Sequence, residues 1–117
     1  MSIQNISPET LLERVDNGQS VLILDVRSEE KMNAFQINHP NITTMALEKK
    51  LFLDEAHIKP DALSSLPVNS EILVVCSTGN SAKKVAQKLS SEGYQTSVLE
   101  GGVTSWREHI NDLKEEK

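Results

Sequence analysis

The sequence predicts an α/β fold, a mainly parallel sheet covered by helices on both faces, and three observations carry that prediction. Two runs, Val21-Leu22-Ile23-Leu24 and Ile72-Leu73-Val74-Val75, are apolar at every position and of strand length. A strand with one wet face alternates apolar and polar residues, whereas a strand buried on both faces of a parallel sheet is apolar throughout. The segments between and beyond these runs place their apolar residues at helical spacing. Glycines at 18, 79, 93, 101 and 102 punctuate the alternation, and strand–helix alternation implies right-handed crossovers.

The elements follow in order. Ser7-Pro8-Glu9 starts a helix: Ser7 accepts orphan backbone N–H bonds, Pro8 takes the first helical position and Glu9 suits the dipole. Pro8, Leu11, Leu12 and Val15 form its buried stripe, and Gly18 ends it. The strand Val21–Leu24 runs into Asp25-Val26-Arg27. From Ser28 to Pro67 the pattern is weak. It predicts a short helix near Ser28–Asn33, a strand around Ile42–Met45, and helical turns at Leu47–Ala56 and Asp61–Leu66, bracketed by Pro60 and Pro67. The strand Ile72–Val75 then leads into Cys76-Ser77-Thr78-Gly79-Asn80 and a helix with Ala82, Val85, Ala86 and Leu89 on one face, closed by Gly93. Tyr94–Leu99 reads as a strand, and Gly101-Gly102 turns into a last helix bearing Val103, Trp106, Ile110 and Leu113.

A length of 117 residues suits a single domain, 1–117. Twelve Lys+Arg against 17 Asp+Glu give a net charge of −5, which argues against a phosphate-backbone partner and so against nucleic acid. No apolar run approaches the roughly 18 residues of a membrane span and no basic, then apolar leader opens the chain, so a cytoplasmic protein with no membrane partner is expected. The chain has one cysteine, so no intrachain disulfide is available, and in a reducing compartment Cys76 stays a thiol.

Cys76 stands where a strand gives way to a loop and a helix, the place where open α/β sheets bind ligands. The loop is made of small residues, so its successive N–H groups can curve around one point ahead of a helix N-terminus and hold an anionic sulfur. The residues alone leave two readings, a reactive thiol or a small buried hydrophobe ending a strand. Ser77, Thr78 and Ser81 hydroxyls either bond to an anion or cap the helix. Lys83 and Lys84, in the first turn of the helix, read as solvated surface residues rather than as cations serving the loop, and Asp25 with Arg27 reads as a structural ion pair or a loop-fixing hydrogen bond rather than an acid–base couple. Trp106 belongs to the core stripe. His39, His57 and His109 have no spacing that gathers them with Cys76, so they read as surface or loop residues and no metal is expected.

Asp25-Val26-Arg27, Val74–Asn80, the helix to Gly93-Tyr94, and Leu99-Glu100-Gly101-Gly102 with Trp106 together resemble a rhodanese-like (sulfurtransferase) domain over essentially the whole chain. The resemblance implies a three-layer α/β/α fold on a five-stranded sheet, and a six-residue loop, Cys76–Ser81, led by the nucleophile. It implies a sulfurtransferase that carries sulfane sulfur as a persulfide on Cys76. Ser77, Thr78, Gly79, Asn80 and Ser81 would form the substrate-binding loop, with no cofactor. The implied partners are a small-molecule or protein sulfur donor, thiosulfate or a persulfide, and a thiol or other nucleophilic acceptor.

Two positions depart from the family pattern. Ser81 stands where the family usually has Arg, and Ser77 where it often has a basic residue, which disfavours a dianionic donor. His39-Pro40 only echoes the family's His-Ile-Pro-Gly element. Two other readings compete. A cysteine phosphatase would need an Arg six residues after the cysteine, where this chain has Ala82. A catalytically silent binding module would use the loop only to dock a partner.

Overall fold

Ser7 begins the first helix as its residue type dictates: its hydroxyl accepts the Thr10 N–H at 3.1 Å, and Pro8 follows at the first helical position. The computed structural model describes residues 3–47, 66–67 and 69–115. Among these the order is β1 (Gln4–Ile6), α1 (Pro8–Asp16), β2 (Val21–Asp25), α2 (Glu29–Ala34), β3 (Ile42–Ala46), β4 (Glu71–Val75), α3 (Asn80–Ser91), β5 (Gln95–Leu99) and α4 (Gly102–Glu115). The strands form one five-stranded sheet in the order β1-β5-β4-β2-β3, and every described pairing is parallel.

The two apolar runs are neighbours in the sheet, Leu22 facing Ile72 and Leu24 facing Val74 across the ladder. Because side chains alternate along a strand, each run supplies both cores. Leu24, Ile72 and Val74 pack with Ala82, Val85, Ala86 and Leu89 of α3 on one face. Ile23, Leu73 and Val75 pack with Leu11 and Val15 of α1 and Val103 and Trp106 of α4 on the other. Most of these side chains are 0 or 1% exposed, and each large one contributes about 1.5–3 kcal/mol by leaving water. Trp106, 3% exposed, is a core residue, as its place on the stripe predicts.

The expected elements recur with small shifts. The short helix begins one residue late because Ser28 is its cap, accepting the Lys31 N–H. Tyr94 lies before β5, its N–H bonded to the Leu89 carbonyl at 3.1 Å in the turn that Gly93 allows with φ +96°. Leu113 is 39% exposed, outside the core its spacing suggested. β1 was not anticipated: with three residues, only Ile6 buried, it is too short to display a period. The helical turns expected at Leu47–Ala56 and Asp61–Leu66, together with Pro60 and His57, lie outside the described residues, apart from the end residues Leu47 and Leu66, which are not helical.

Candidate active site

β4 and β2 end side by side at the carboxyl edge of the sheet, where the Val26 N–H bonds to the Val75 carbonyl at 3.0 Å. That bond sets Arg27 and Ser28 against Cys76. A cavity of about 240 Å³ opens between two walls, Cys76, Ser77, Thr78 and Ser81 from the loop after β4, and Arg27, Ser28 and Lys31 from the start of α2. A larger cavity of about 370 Å³ shares Arg27 with it but is lined otherwise by Glu29, Met32, Asn33, Gln36 and Ala46, none of them a nucleophile.

The loop's shape follows from its glycine and from the helix it feeds. Gly79 has φ +101°, a left-handed conformation that costs other residues steric energy, and it is the cap residue of α3. No side chain caps that helix, and its first turn holds no acidic residue. Instead, the Gly79 N–H donates to Cys76 Sγ at 3.0 Å and the Ala82 N–H donates to it at 3.3 Å. The sulfur thus accepts first-turn donors that lack an intrahelical partner, and it sits at the positive end of the helix dipole. Cys76 itself is buried, 6% exposed.

A second helix fixes the other side of the loop. At the start of α4 the Val103 N–H donates to the Cys76 carbonyl at 2.8 Å and the Thr104 N–H to the Ser77 carbonyl at 3.1 Å. Gly102 permits this approach. A Cβ there would stand 2.3 Å from the Cys76 oxygen and 2.6 Å from the Ser77 carbonyl carbon, and its φ is +65°. The glycine pair is therefore more than a turn: it lets one helix N-terminus grip the backbone of the loop whose sulfur the other helix faces.

On the opposite wall, Asp25 and Arg27 form a buried ion pair, 2% and 6% exposed in their side chains, with Arg27 Nη2 2.7 Å from Asp25 Oδ2. Arg27 Nε also donates to Asp25, while Nη2 reaches the Phe35 carbonyl at 2.7 Å and Nη1 the Lys31 carbonyl at 3.4 Å. The pair is structural, as expected for these two charges at the strand end, and it ties α2 to the end of β2.

Of the loop residues singled out in the sequence, Ser77, Thr78 and Ser81 line the cavity with Cys76, and Gly79 faces the sulfur through its N–H. Asn80 is exposed at the first turn of α3 and does not line it. Lys83 and Lys84 are exposed on α3, away from the lining; among the described residues the lysine that lines the cavity is Lys31. Ala82, Gly102, Ser28 and Lys31 carried no sequence signal for the site beyond the glycine pair itself.

The histidines stand elsewhere. His39 Nδ1 accepts the Asn41 N–H at 3.0 Å and its Nε2 lies 3.1 Å from Asp16 Oδ1, a turn-fixing role. His109 is not a surface or loop residue: it lies on α4, half-buried, with Nε2 out of contact with solvent. Among the described residues no three His, Cys, Asp or Glu side chains gather as metal ligands, and no helix is long and apolar enough to cross a membrane.

Known proteins share this chain's sequence pattern and fold. YtwF of Bacillus subtilis, named as a candidate sulfurtransferase, is 23% identical over 110 residues, 91% of this chain and 92% of its own. A protein of Allochromatium vinosum named sulfurtransferase is 22% identical over 108 residues, covering 92% of this chain and 91% of its own. The crystal structure of a rhodanese-like domain protein from Staphylococcus aureus superposes with a TM-score of 0.74 at 26% identity, over 89% of this chain and 91% of that one. A family model for the rhodanese-like domain matches residues 7–109, and by that match the chain belongs to the rhodanese-like domain family.

Proposed function

We propose that this protein is a sulfurtransferase that carries sulfane sulfur as a persulfide on Cys76, between a thiosulfate or persulfide donor and a thiol or other nucleophilic acceptor. The observation that carries the reading is the pair of N–H groups, from Gly79 and Ala82, aimed at Cys76 Sγ beside an open cavity. Preorganised donors of this kind stabilise a charged sulfur without reorganising during reaction.

In the first step the Cys76 thiolate attacks the outer sulfur of the donor; the new Sγ–S bond forms as the donor's S–S bond breaks, and the leaving thiolate or sulfite departs with that electron pair. In the second, an acceptor thiolate attacks the outer sulfur and returns Cys76 as thiolate. Both steps exchange one S–S bond for another, so no cofactor, oxidant or reductant is consumed. Ser77, Thr78 and Ser81 present hydroxyls to the same space, and Asn80 contributes through its place in the loop backbone. Donor and acceptor are small molecules or exposed groups of proteins; neither nucleic acid nor membrane has a role. A lone thiol suits the reducing cytoplasm.

Phosphoester hydrolysis fits less well. Ala82 is fully buried where a phosphatase loop needs its bidentate arginine, and no loop side chain is cationic. Intact-mass measurement after incubation with sulfane donors tests the proposal. The wild type gains one sulfur atom and loses it to cyanide, and Cys76→Ser gains none. No gain with thiosulfate or any persulfide overturns it in favour of a silent binding module.

A further inference from the structure

We infer that Lys31 sets donor specificity by binding a carboxylate on the leaving half of a low-mass persulfide, an inference that rests on the sulfur-transfer reading above. Among the described residues the cavity walls hold two cations, Arg27 and Lys31. Arg27 is committed: its guanidinium is buried against Asp25 and donates to the Phe35 and Lys31 carbonyls. The Lys31 side chain is exposed, and among the described residues no ion pair engages its ammonium. The loop wall offers neutral hydroxyls and amides only, since Ser77 and Ser81 stand at its two candidate basic positions. Among the described residues the site therefore brings one uncommitted positive side chain to its substrate, from α2 and not from the loop.

The position of that charge selects which part of the donor it meets. Displacement at sulfur is in line, so the leaving thiolate departs on the side away from Cys76 Sγ. Cys76 and Lys31 line the cavity from different elements, the residue after β4 and the helix α2. The Gly79 and Ala82 N–H groups are committed to Cys76 Sγ, and Lys31 is left for the leaving half. At about 240 Å³ the cavity is smaller than the roughly 300–1,000 Å³ of sites for drug-sized ligands, so it takes a small donor or the cysteine end of a larger one. One ammonium balances one carboxylate; a dianion such as thiosulfate brings a second charge that no described side chain of the cavity meets.

The step is Cys76–S⁻ plus R–S–SH giving Cys76–S–SH plus R–S⁻, in which the donor's S–S electron pair leaves on R–S⁻ and solvent then protonates it. Lys31 touches only R. Loading of Cys76, followed by intact mass, separates this from other roles when N-acetylcysteine persulfide, which bears one carboxylate, is compared with the persulfide of its uncharged amide. The wild type should favour the carboxylate donor by about fivefold in kcat/KM, the scale of one exposed ion pair. Lys31→Ala should erase that preference through KM with kcat unchanged, Lys31→Arg should keep it and Lys31→Glu should reverse it. Equal kcat/KM for both donors in the wild type, or an equal slowing of both by Lys31→Ala, overturns the role of Lys31 while leaving sulfur transfer standing. Failure of both donors, and of thiosulfate and every other persulfide, to load wild-type Cys76 overturns both.

Discussion

Cys76 serves structure and chemistry with the same atom. Its sulfur accepts the Gly79 and Ala82 N–H groups inside a site where only 6% of the residue is exposed. Cys76→Ala removes the acceptor and leaves two donors unsatisfied, so it should lower stability by about 2 kcal/mol in urea titration, within the range for such groups. Cys76→Ser retains an acceptor on a smaller atom and should lose about 1 kcal/mol, with persulfide formation abolished in both. A loss as large for Ser as for Ala would mean that packing, not these bonds, fixes the residue. Gly102 gives a second test at this scale. Gly102→Ala drives a Cβ into the Cys76 and Ser77 backbone, whereas Gly93→Ala, with φ +96°, meets nothing within 4 Å. Gly93→Ala should cost about 1–2 kcal/mol for the left-handed backbone alone. Gly102→Ala should cost more and also slow Cys76 loading, because the loop must move. Equal costs with loading unchanged would remove Gly102 from the support of the site.

At the scale of elements, the helix α2 makes the second wall of the cavity, and Arg27 holds it there. Three groups depend on that guanidinium: the buried Asp25 carboxylate and the carbonyls of Lys31 and Phe35. Arg27→Ala leaves a carboxylate that is 2% exposed without its partner and should destabilise the protein by about 3–5 kcal/mol. Arg27→Lys keeps the charge but not the planar fork and should fall between. Urea unfolding of the two variants checks the order; a fully stable Arg27→Ala would show that α2 is held by packing alone. The same element shows where sequence reading stops. α1 was legible because Ser7, Pro8 and its stripe are local signals, and β2 and β4 because burial on both faces makes a strand apolar at every residue. α2 has a single buried residue, Met32, so no periodicity reveals which side faces the loop. Lys31 was invisible as a cavity residue, while Lys83 and Lys84 are exposed and outside the lining, as their reading as solvated surface residues expects. The loop itself was legible because Cys76 directly follows an unmistakable strand. The grip of α4 on it was not, since it is a contact between backbones 27 residues apart in the chain.

The whole sheet converges on the site through one edge that sequence pattern does not reveal. β1 pairs with β5 in parallel, Ile6 opposite Leu99, and the Ile6 carbonyl accepts the Glu100 N–H at 2.8 Å. Glu100 immediately precedes the Gly101-Gly102 turn, and that turn begins the helix that bonds to the Cys76 carbonyl. The short edge strand therefore anchors the base from which α4 holds the loop. Ile6 is 4% exposed and packs in the same core as Leu11, Leu99 and Trp106. Ile6→Ala should cost about 2–4 kcal/mol, the usual loss for a buried large-to-small change, and its backbone bond to Glu100 should persist, leaving Cys76 loading at the wild-type rate where the protein is folded. A chain lacking residues 1–6 loses that bond as well and bares the outer edge of β5, whose unpaired N–H and C=O groups template pairing with another chain. It should load Cys76 more slowly than Ile6→Ala at equal folded fraction and should associate with rising concentration in size-exclusion chromatography. If the truncated chain stays monomeric and loads at the wild-type rate, β1 contributes burial alone, and the position of α4 is set by its packing on α1.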